Sequence, residues 1–264
     1  PAPTFRKKLF KGYQSKRPKM DDDLVGQIPK IHELVEAFGI PIFEKDGFEA
    51  DDVLGTLAQK RKGIDQVIIV TGDRDILQLV VDEKVLVYMP TKGLSEGKIY
   101  AEKDVMERMG VAPKLIPDLK GLMGDASDNY PGVEGIGPKT AVGLLKQFES
   151  LKGVYRNLKD GKGMKHAGVS EGVVAKLKAG QKSALLSHDL ATIRTDVPID
   201  GGFTQTANFN SPQARAFLES LHFHSLLKRL SGGDPTTPAK PDSGGREEKQ
   251  EETKKESGVQ QQLL

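Results

Sequence analysis

Seven acidic residues fall in three short motifs whose spacing suits metal-dependent chemistry. In chain order they are Glu49, Asp51 and Asp52 in "EADD", Asp73 and Asp75 in "TGDRD", and Asp125 and Asp128 in "GDASDN". Each motif alone also has a structural explanation: an acidic first helical turn, a turn at a sheet edge, or an Asx-turn with a helix cap. Seven carboxylates near one point would repel one another by several kcal/mol in a poorly solvated cleft, so only cations would stabilise their convergence.

The available ligand types select the metal. The chain has no cysteine, which excludes disulfides and thiolate-bound zinc or iron–sulfur centres, and its five histidines lie scattered without ligand spacing. Oxygen ligands alone favour Mg²⁺ or Mn²⁺. Two or more such ions, about 4 Å apart, would stabilise the attacking and leaving oxygens of a phosphodiester during in-line displacement.

The first twenty residues carry seven cations and no acid. The cations are Arg6, Lys7, Lys8, Lys11, Lys16, Arg17 and Lys19. This composition predicts a surface that faces a polyanion, while the alternative is an amphipathic helix whose charges merely face water. Acids for metals and bases for phosphate together predict the hydrolysis of nucleic acid.

Hydrophobic periodicity predicts an α/β half followed by a helical half. After residue 113 the pattern predicts only helices, and from Ser231 onward it predicts a disordered linker or tail without apolar residues to bury. The predicted elements of the first half are a helix over 21–38 bent at Pro29, a strand at "IPIF" (40–43), a helix over 49–62, strands over 67–70 and 84–90, and a helix over 101–110 that ends at Gly110. Those of the second half are helices over 113–123, 139–148, 170–187 and 211–230.

The segment "GVEGIGPKTA" (132–141) resembles a phosphate-binding P-loop but is not one. Pro138 separates Gly137 from the following lysine, and no strand precedes the segment. The residues fit a hairpin between two helices, in which Gly135 and Gly137 let the backbone approach a ligand and Pro138 opens the second helix. Amides at that helix start, with Lys139 and Thr140, would then hold a DNA phosphate; a plain helical turn is the alternative.

Five motifs in one order resemble the 5′-nuclease domain of bacterial DNA polymerase I, a branch of the flap endonuclease superfamily. They are "FRKKLFKGYQSKRPKM", "FEADDVLGTLA", "TGDRDILQLV", "LMGDASDNYPGVEGIGPKTA" and "LATIRTDVPI", and they cover roughly residues 3 to 200. The resemblance implies a mixed, mostly parallel sheet flanked by helices, followed by a helical helix-hairpin-helix region. It also implies a Mg²⁺-dependent enzyme that removes RNA primers and displaced 5′ flaps in DNA replication and repair.

The resemblance further implies an organisation of the chain. Residues 1–118 would form the α/β nuclease core with a basic arch at 1–20, residues 119–230 the helical DNA-binding region, and residues 231–264 the start of a linker to a polymerase domain. The expected partner is DNA with 5′ flaps, nicks or RNA primers. The protein is expected to be monomeric, cytoplasmic and associated with the nucleoid, with no membrane contact.

Carried over position by position, the resemblance assigns roles to individual residues. The seven acids of the three motifs match the metal ligands of the family. The hairpin matches one that commonly holds K⁺ between backbone carbonyls and a DNA phosphate. The residues matched to the scissile region are Arg6, Tyr13 and Arg17, and those matched to DNA binding are Lys7, Lys11, Lys16, Gly135, Gly137, Lys139 and Thr140.

Two departures from the family pattern qualify the expected activity. Gln14 stands where the family usually has a lysine, and Lys16 or Lys11 would have to replace that cation. The family also begins with a strand that carries one metal-binding aspartate and has a second before the arch; both are expected upstream of Pro1, so an N-terminally truncated chain is predicted. The alternatives are a non-catalytic module that binds branched DNA and, more distantly, a single-strand ribonuclease, against which the hairpin argues.

Overall fold

A computed structural model describes residues 3–60, 62–93, 96–160, 162–200 and 206–232. The chain divides into two compact units between Ala207 and Asn208. The tail predicted after Ser231 lies, from residue 233 onward, outside the described residues. Among the described helices, none has the length and apolar character needed to cross a membrane.

The first unit begins with an α/β half. Its elements are α1 (Phe5–Leu9), α2 (Asp22–Val25), α3 (Ile28–Ala37), α4 (Ala50–Gln59), β1 (Val67–Val70), a short 3₁₀ helix (Asp75–Leu79), β2 (Val85–Lys92), β3 (Glu96–Tyr100) and α5 (Glu102–Met109). A helical half follows. It contains a 3₁₀ turn (Pro113–Leu115), α6 (Ile116–Met123), α7 (Pro138–Phe148), α8 (Leu151–Asp160), α9 (Lys162–His166) and α10 (Glu171–Ala191).

The three described strands form one mixed sheet in the order β1-β2-β3. β1 pairs in parallel with β2, so that Val67 lies opposite Val85, and β2 pairs antiparallel with β3, so that Val87 lies opposite Tyr100. Inward side chains alternate with outward ones along β2, as a half-buried strand requires. The predicted mixed sheet flanked by helices is thereby confirmed.

Three details differ from the predicted elements. β3 has the sequence EGKIY, with two charged residues and a glycine, and was not predicted as a strand. The strand predicted over 40–43 is wrong, because a strand needs a hydrogen-bonding neighbour and these residues lie outside the sheet; Phe43 packs instead on Val53 and Leu57 of α4. The helix predicted over 21–38 is two helices, and Pro29 lies in the first turn of α3, where no amide donor is lost.

One hydrophobic core joins the two halves of the first unit. It runs from Val87 of β2 through Leu119 and Leu122 of α6 to Leu177 and Ala184 of α10. α6 and α10 pack along each other in the middle of this core. The core therefore fixes the loop that follows α6 relative to the end of β1, although fifty residues separate them in sequence.

The second unit, as far as it is described, is a pair of short helices. α11 (Pro212–Ser220) and α12 (His224–Leu230) contact each other, and Arg215 donates a hydrogen bond to the Leu230 carbonyl oxygen at 3.2 Å. The helix predicted over 211–230 is therefore interrupted at residues 221–223.

Gly55 marks the closest approach of α4 to the segment after α10. A β-carbon on Gly55 would lie 2.7 Å from Ile193 Cγ2 and 2.9 Å from the backbone oxygen of Arg194. We therefore expect Gly55→Ala to lower the free energy of unfolding by about 1–3 kcal/mol, because backbone must shift. Gly143→Ala in α7 is the matched control, since nothing lies within 4 Å; there the ordinary helix preference should raise stability by about 1 kcal/mol. Urea denaturation measures the free energy of unfolding of both variants. Equal changes in the two variants would contradict the close packing at Gly55.

Candidate active site and DNA interface

A cleft of about 670 Å³ opens where β1 ends and α4 begins. Four of the seven predicted metal ligands line it, together with five residues of the basic N-terminal segment. The acids are Glu49, Asp51, Asp73 and Asp128, and the facing residues include Lys7, Gln14 and Arg17. The fold thus brings parts of all three acidic motifs together and places the positive charges of Lys7 and Arg17 at the same cleft.

Asp51 and Asp73 form the open part of this acid cluster. Asp73 follows β1 directly, and its carboxylate accepts a hydrogen bond from the Asp75 amide at 2.9 Å. Asp51 lies in the first turn of α4, and its carboxylate has no hydrogen bond or ion pair to the rest of the described chain. Burial, followed by the charges of Asp73, Asp75 and Glu49, raises the pKa of Asp51 to about 7. The repulsion predicted from the sequence is therefore present at Asp51.

Lys120 closes a second part of the cluster. Its ammonium is buried in α6 and forms ion pairs with Asp75 and, at 2.5 Å, with Asp125. Asp125 also accepts hydrogen bonds from the amide and hydroxyl of Ser127, which confirms an Asx-turn at "GDASDN". Against the effect of burial, these bonds lower the pKa of Asp125 to about 2, whereas burial raises the pKa of Asp75.

Lys120 was missed by reasoning from the sequence, although a signal for it was available. In "IPDLKGLM" the lysine follows Ile116 by four residues and therefore lies on the same helical face as a core residue. A lysine at such a position is buried only when it is paired. Its acidic partners could have been sought among the three motifs.

Arg6 and Asp52 form a buried pair. Nη1 and Nη2 of Arg6 donate to the two carboxylate oxygens of Asp52 at 2.7 and 2.8 Å. Nη2 also donates to the carbonyl oxygen of Thr192, and Nε donates to that of Leu190. Asp52 is fully buried and also accepts from the amide of Arg194 at 2.8 Å. Arg6 is 2% exposed, and its hydrogen bonds tie α1 to α4 and to the end of α10. The expected contact of Arg6 with the scissile region stays a prediction.

Tyr13 and Arg17 dock the basic segment on the acids. The Tyr13 hydroxyl donates to Glu49 Oε2 at 3.0 Å and lies 3.2 Å from Asp128 Oδ2, while its ring stacks on Tyr130. Burial, then the charges of Glu49 and Asp128, raise the pKa of Tyr13, which keeps the hydroxyl protonated. Arg17, which is half exposed, donates to Asp128 Oδ1 at 2.6 Å.

The three predicted DNA-contacting lysines of this segment, Lys7, Lys11 and Lys16, are all exposed. The regular helix here is confined to α1, and turns follow it over residues 11–17. The segment predicted as a basic arch is therefore seen as a short helix and turns that lie against the acids. Its role in contacting DNA stays a prediction.

The acid cluster fits a hard divalent cation by the chemistry of its donors. Glu49, Asp51 and Asp73 offer only oxygen atoms, and the like charges around Asp51 outweigh the opposite charge of Arg6. In the observed arrangement, no group of three or more acidic or histidine side chains within the described ranges is spaced to hold a metal ion. Five of the acids form an ion pair with a lysine or arginine instead, namely Glu49, Asp52, Asp75, Asp125 and Asp128, so the metal roles of all seven acids stay predictions.

The segment between α6 and α7 has the glycine and proline conformations that the predicted hairpin requires, and the DNA-binding role of the hairpin stays a prediction. Gly135 has a φ of +72°, Gly137 precedes α7 in extended conformation, and Pro138 is its first residue. The side chains of Val133 and Ile136 are buried and anchor this turn on the core. Lys139 and Thr140 lie in the first turn of α7, where the amides lack intrahelical acceptors and are free to face a phosphate.

The predicted K⁺ position at the hairpin is near an internal cation. Lys176 of α10 donates to the Gly135 carbonyl oxygen at 3.1 Å. The ammonium thus already contacts one carbonyl of the turn. The K⁺ site stays a prediction.

Comparison with known proteins places this geometry in one family. Residues 1–110 match the family described as 5′-3′ exonuclease, N-terminal resolvase-like domain, and residues 111–214 match the 5′-3′ exonuclease, C-terminal SAM fold. DNA polymerase I of Bacillus subtilis (strain 168) is 39% identical over 242 residues, which are 90% of this chain and 26% of that protein. DNA polymerase I of Pseudomonas aeruginosa is 44% identical over 201 residues, 75% of this chain and 21% of that protein.

Solved structures share the fold at lower identity. The bacteriophage T5 D15 flap endonuclease, crystallised as a pseudo-enzyme-product complex with DNA and metal ions, is 20% identical with a TM-score of 0.59, covering 88% of this chain and 80% of that one. The catalytic core of Rad2 in complex with DNA substrate is 19% identical with a TM-score of 0.53. The match covers 87% of this chain and 75% of the Rad2 chain.

The two family matches extend over nearly the whole described chain. Together the two family regions cover residues 1–214, and they contain all three acidic motifs, the basic segment and the hairpin. The chain spans about a quarter of the length of the DNA polymerase I proteins it matches. On this evidence the chain belongs to the 5′-3′ exonuclease family.

Proposed function

We propose that the protein is a metal-dependent, structure-specific 5′ nuclease that hydrolyses phosphodiester bonds of 5′ flaps and RNA primers with Mg²⁺ or Mn²⁺. The observation that carries the proposal is the cleft in which Asp51 and Asp73 face Lys7 and Arg17. One wall suits divalent cations and the other a phosphate backbone. The similar proteins support it, since they include DNA polymerase I, a flap endonuclease crystallised with DNA and metal ions, and the catalytic core of Rad2 in complex with DNA substrate.

In this proposal the basic residues of the cleft bind DNA and the acidic residues bind metal ions. Lys7 and the half-exposed Arg17 would draw the 5′ strand to the cleft. The Tyr13 hydroxyl holds Glu49 at the cleft wall. Bound divalent ions would polarise the scissile phosphate and activate water, and Glu49, Asp51 and Asp73 are the residues that would hold them.

The hairpin would grip the duplex beside the cleft without reading bases. Lys139 and Thr140 at the start of α7 offer one charge and backbone amides to phosphate oxygens. In a chain continuous with a polymerase domain, this grip would hold the junction between flap and duplex. DNA replication and repair are the processes that present such junctions.

Lys139→Ala is expected to weaken binding to flap and plain duplex DNA by a similar factor. Because the exposed ammonium would neutralise one phosphate, the slope of log K against log salt should fall by about 1. Fluorescence anisotropy over a salt series, in EDTA, measures both quantities. Lys103→Ala, at another exposed lysine of the first unit, is the control, and an unchanged slope for Lys139→Ala would remove the hairpin from the interface.

The proposal is tested by incubating the chain with a labelled 5′-flap substrate, with and without Mg²⁺ or Mn²⁺. Cleavage near the junction that requires the ion, together with much slower cleavage of a single strand, is the expected result. An RNA-primed strand should also be shortened from its 5′ end. Equal cleavage in EDTA would refute metal dependence.

The ion pairs on five of the seven acids favour a second candidate, a non-catalytic module that binds branched DNA. Such a module would use Arg6, Lys120 and Arg17 as permanent counterions of the acids. It predicts flap binding without cleavage at any concentration of Mg²⁺ or Mn²⁺. The same flap assay therefore separates the two candidates.

A further inference from the structure

The acids at the site differ in how their charge is compensated. Asp75 and Asp125 share the ammonium of Lys120, which is 7% exposed and held between them. Asp51, by contrast, makes no ion pair within the described chain, although the charge of Arg6 acts on it, and it lines the open cleft beside Asp73. The site thus has an open half, Asp51 and Asp73, without a bonded cation and a closed half, Asp75 and Asp125, with one.

The ammonium group occupies the position between two carboxylates that a divalent ion would need. Asp75 begins the 3₁₀ helix after β1, and Asp125 lies in the loop after α6, so Lys120 is the contact that holds these two elements together at the site. Two carboxylates this close would repel each other strongly in a buried setting without a cation between them. The lysine allows the closed half to assemble without a metal.

We propose that Lys120 is an internal counterion that a divalent ion must displace in order to bind Asp75 and Asp125. Ions then bind in order: the open half at Asp51 and Asp73 fills first, and the closed half fills more weakly because the ammonium has to leave. Lys120 acts as a positioning residue that regulates occupancy of the second position. This inference rests on the proposed function, since it concerns the same metal-binding cluster.

The first test measures metal binding to the chain without DNA. Mn²⁺ is titrated into the protein, and its binding is measured by calorimetry and by the electron paramagnetic resonance signal of the free ion. We expect two classes of bound Mn²⁺, one tighter and one weaker. Lys120→Met should strengthen the weaker class by about tenfold or more, because a positive charge has been removed from between two carboxylates. Lys120→Arg should leave the weaker class weak, since it keeps the charge.

Lys114→Met is the matched control. Lys114 lies six residues earlier and is exposed, so its loss should leave both classes of ion unchanged. Asp75→Asn added to Lys120→Met should abolish the gain in affinity. If Lys120→Met binds Mn²⁺ with the wild-type affinities, the inference is overturned.

A second measurement uses the wild-type protein and does not depend on how the variant folds. Brief acetylation of lysines, read by mass spectrometry, should label Lys120 poorly in EDTA because its ammonium is buried and paired. Saturating Mn²⁺ should increase the labelling of Lys120 several-fold and leave that of Lys114 constant. Labelling of Lys120 that does not change with Mn²⁺ would show that the ammonium stays in place.

The two hypotheses fail in different ways. If Mn²⁺ does not bind the chain at all, the metal-dependent nuclease is refuted. If one class of Mn²⁺ binds and flap DNA is cut, but neither the Lys120 variant nor the labelling responds, only the counterion hypothesis is refuted.

Discussion

Replacing Arg6 with methionine is expected to lower the free energy of unfolding by about 3–5 kcal/mol. The substitution removes four hydrogen bonds from the guanidinium and leaves the fully buried Asp52 carboxylate without its cation. Amides of Glu49 and Arg194 would still donate to Asp52, but neither carries a charge. A broken buried ion pair costs more than the pair itself contributes, because the remaining charge stays desolvated.

A double-mutant cycle separates this effect from lost packing. Asp52→Asn in the Arg6→Met background removes the orphaned charge and should restore part of the stability, so the two substitutions are expected to be strongly non-additive. Lys8→Met, on the exposed side of the same helix, should change the free energy of unfolding by no more than about 0.5 kcal/mol. Urea denaturation measures all four variants, which are Arg6→Met, Asp52→Asn, the double variant and Lys8→Met. An Arg6→Met effect equal to that of Lys8→Met would show that the pair does not hold the fold.

Asp51→Asn is expected to stabilise the metal-free protein and to abolish its nuclease activity. The pKa of Asp51 is about 7 in the folded chain, above its ordinary value of 3.8. The folded state therefore keeps a proton that the unfolded state releases, so stability falls as the pH rises from about 4 to about 7. Above that range the asparagine variant lacks the charge of Asp51 and should be more stable by about 2 kcal/mol.

Activity should respond in the opposite direction. An amide is a weaker ligand for Mg²⁺ than a carboxylate, so flap cleavage by Asp51→Asn should fall by about a hundredfold or more. Thermal denaturation in EDTA at pH 5 and pH 8 measures the stability effect, and the difference between variant and wild type should be larger at pH 8 than at pH 5. Asp46→Asn, at an exposed acid nearby, is the control. A destabilised Asp51→Asn protein at pH 8 would contradict the crowded-charge interpretation.

Local patterns predicted most of the elements that carry the site. The helix at Ala50–Gln59, the strand at Val67–Val70 and the start of α7 at Pro138 were all read from residues a few positions apart. Their signals are acids in a first turn, a run of β-branched residues, and proline after glycine. The strand predicted at 40–43 was wrong because a strand depends on a neighbour that the local sequence does not contain.

The sequence by itself determined the family, the three acidic motifs and the hairpin, since each is written in contiguous residues. Only the tertiary structure decided which acids line the cleft without an ion pair and which are paired with a lysine or arginine. Arg6 meets Asp52 across 46 positions, and Lys120 meets Asp75 across 45. Such pairs form where the packing of α4, α6 and α10 on the sheet brings distant charges into a desolvated space, and no local pattern records that distance.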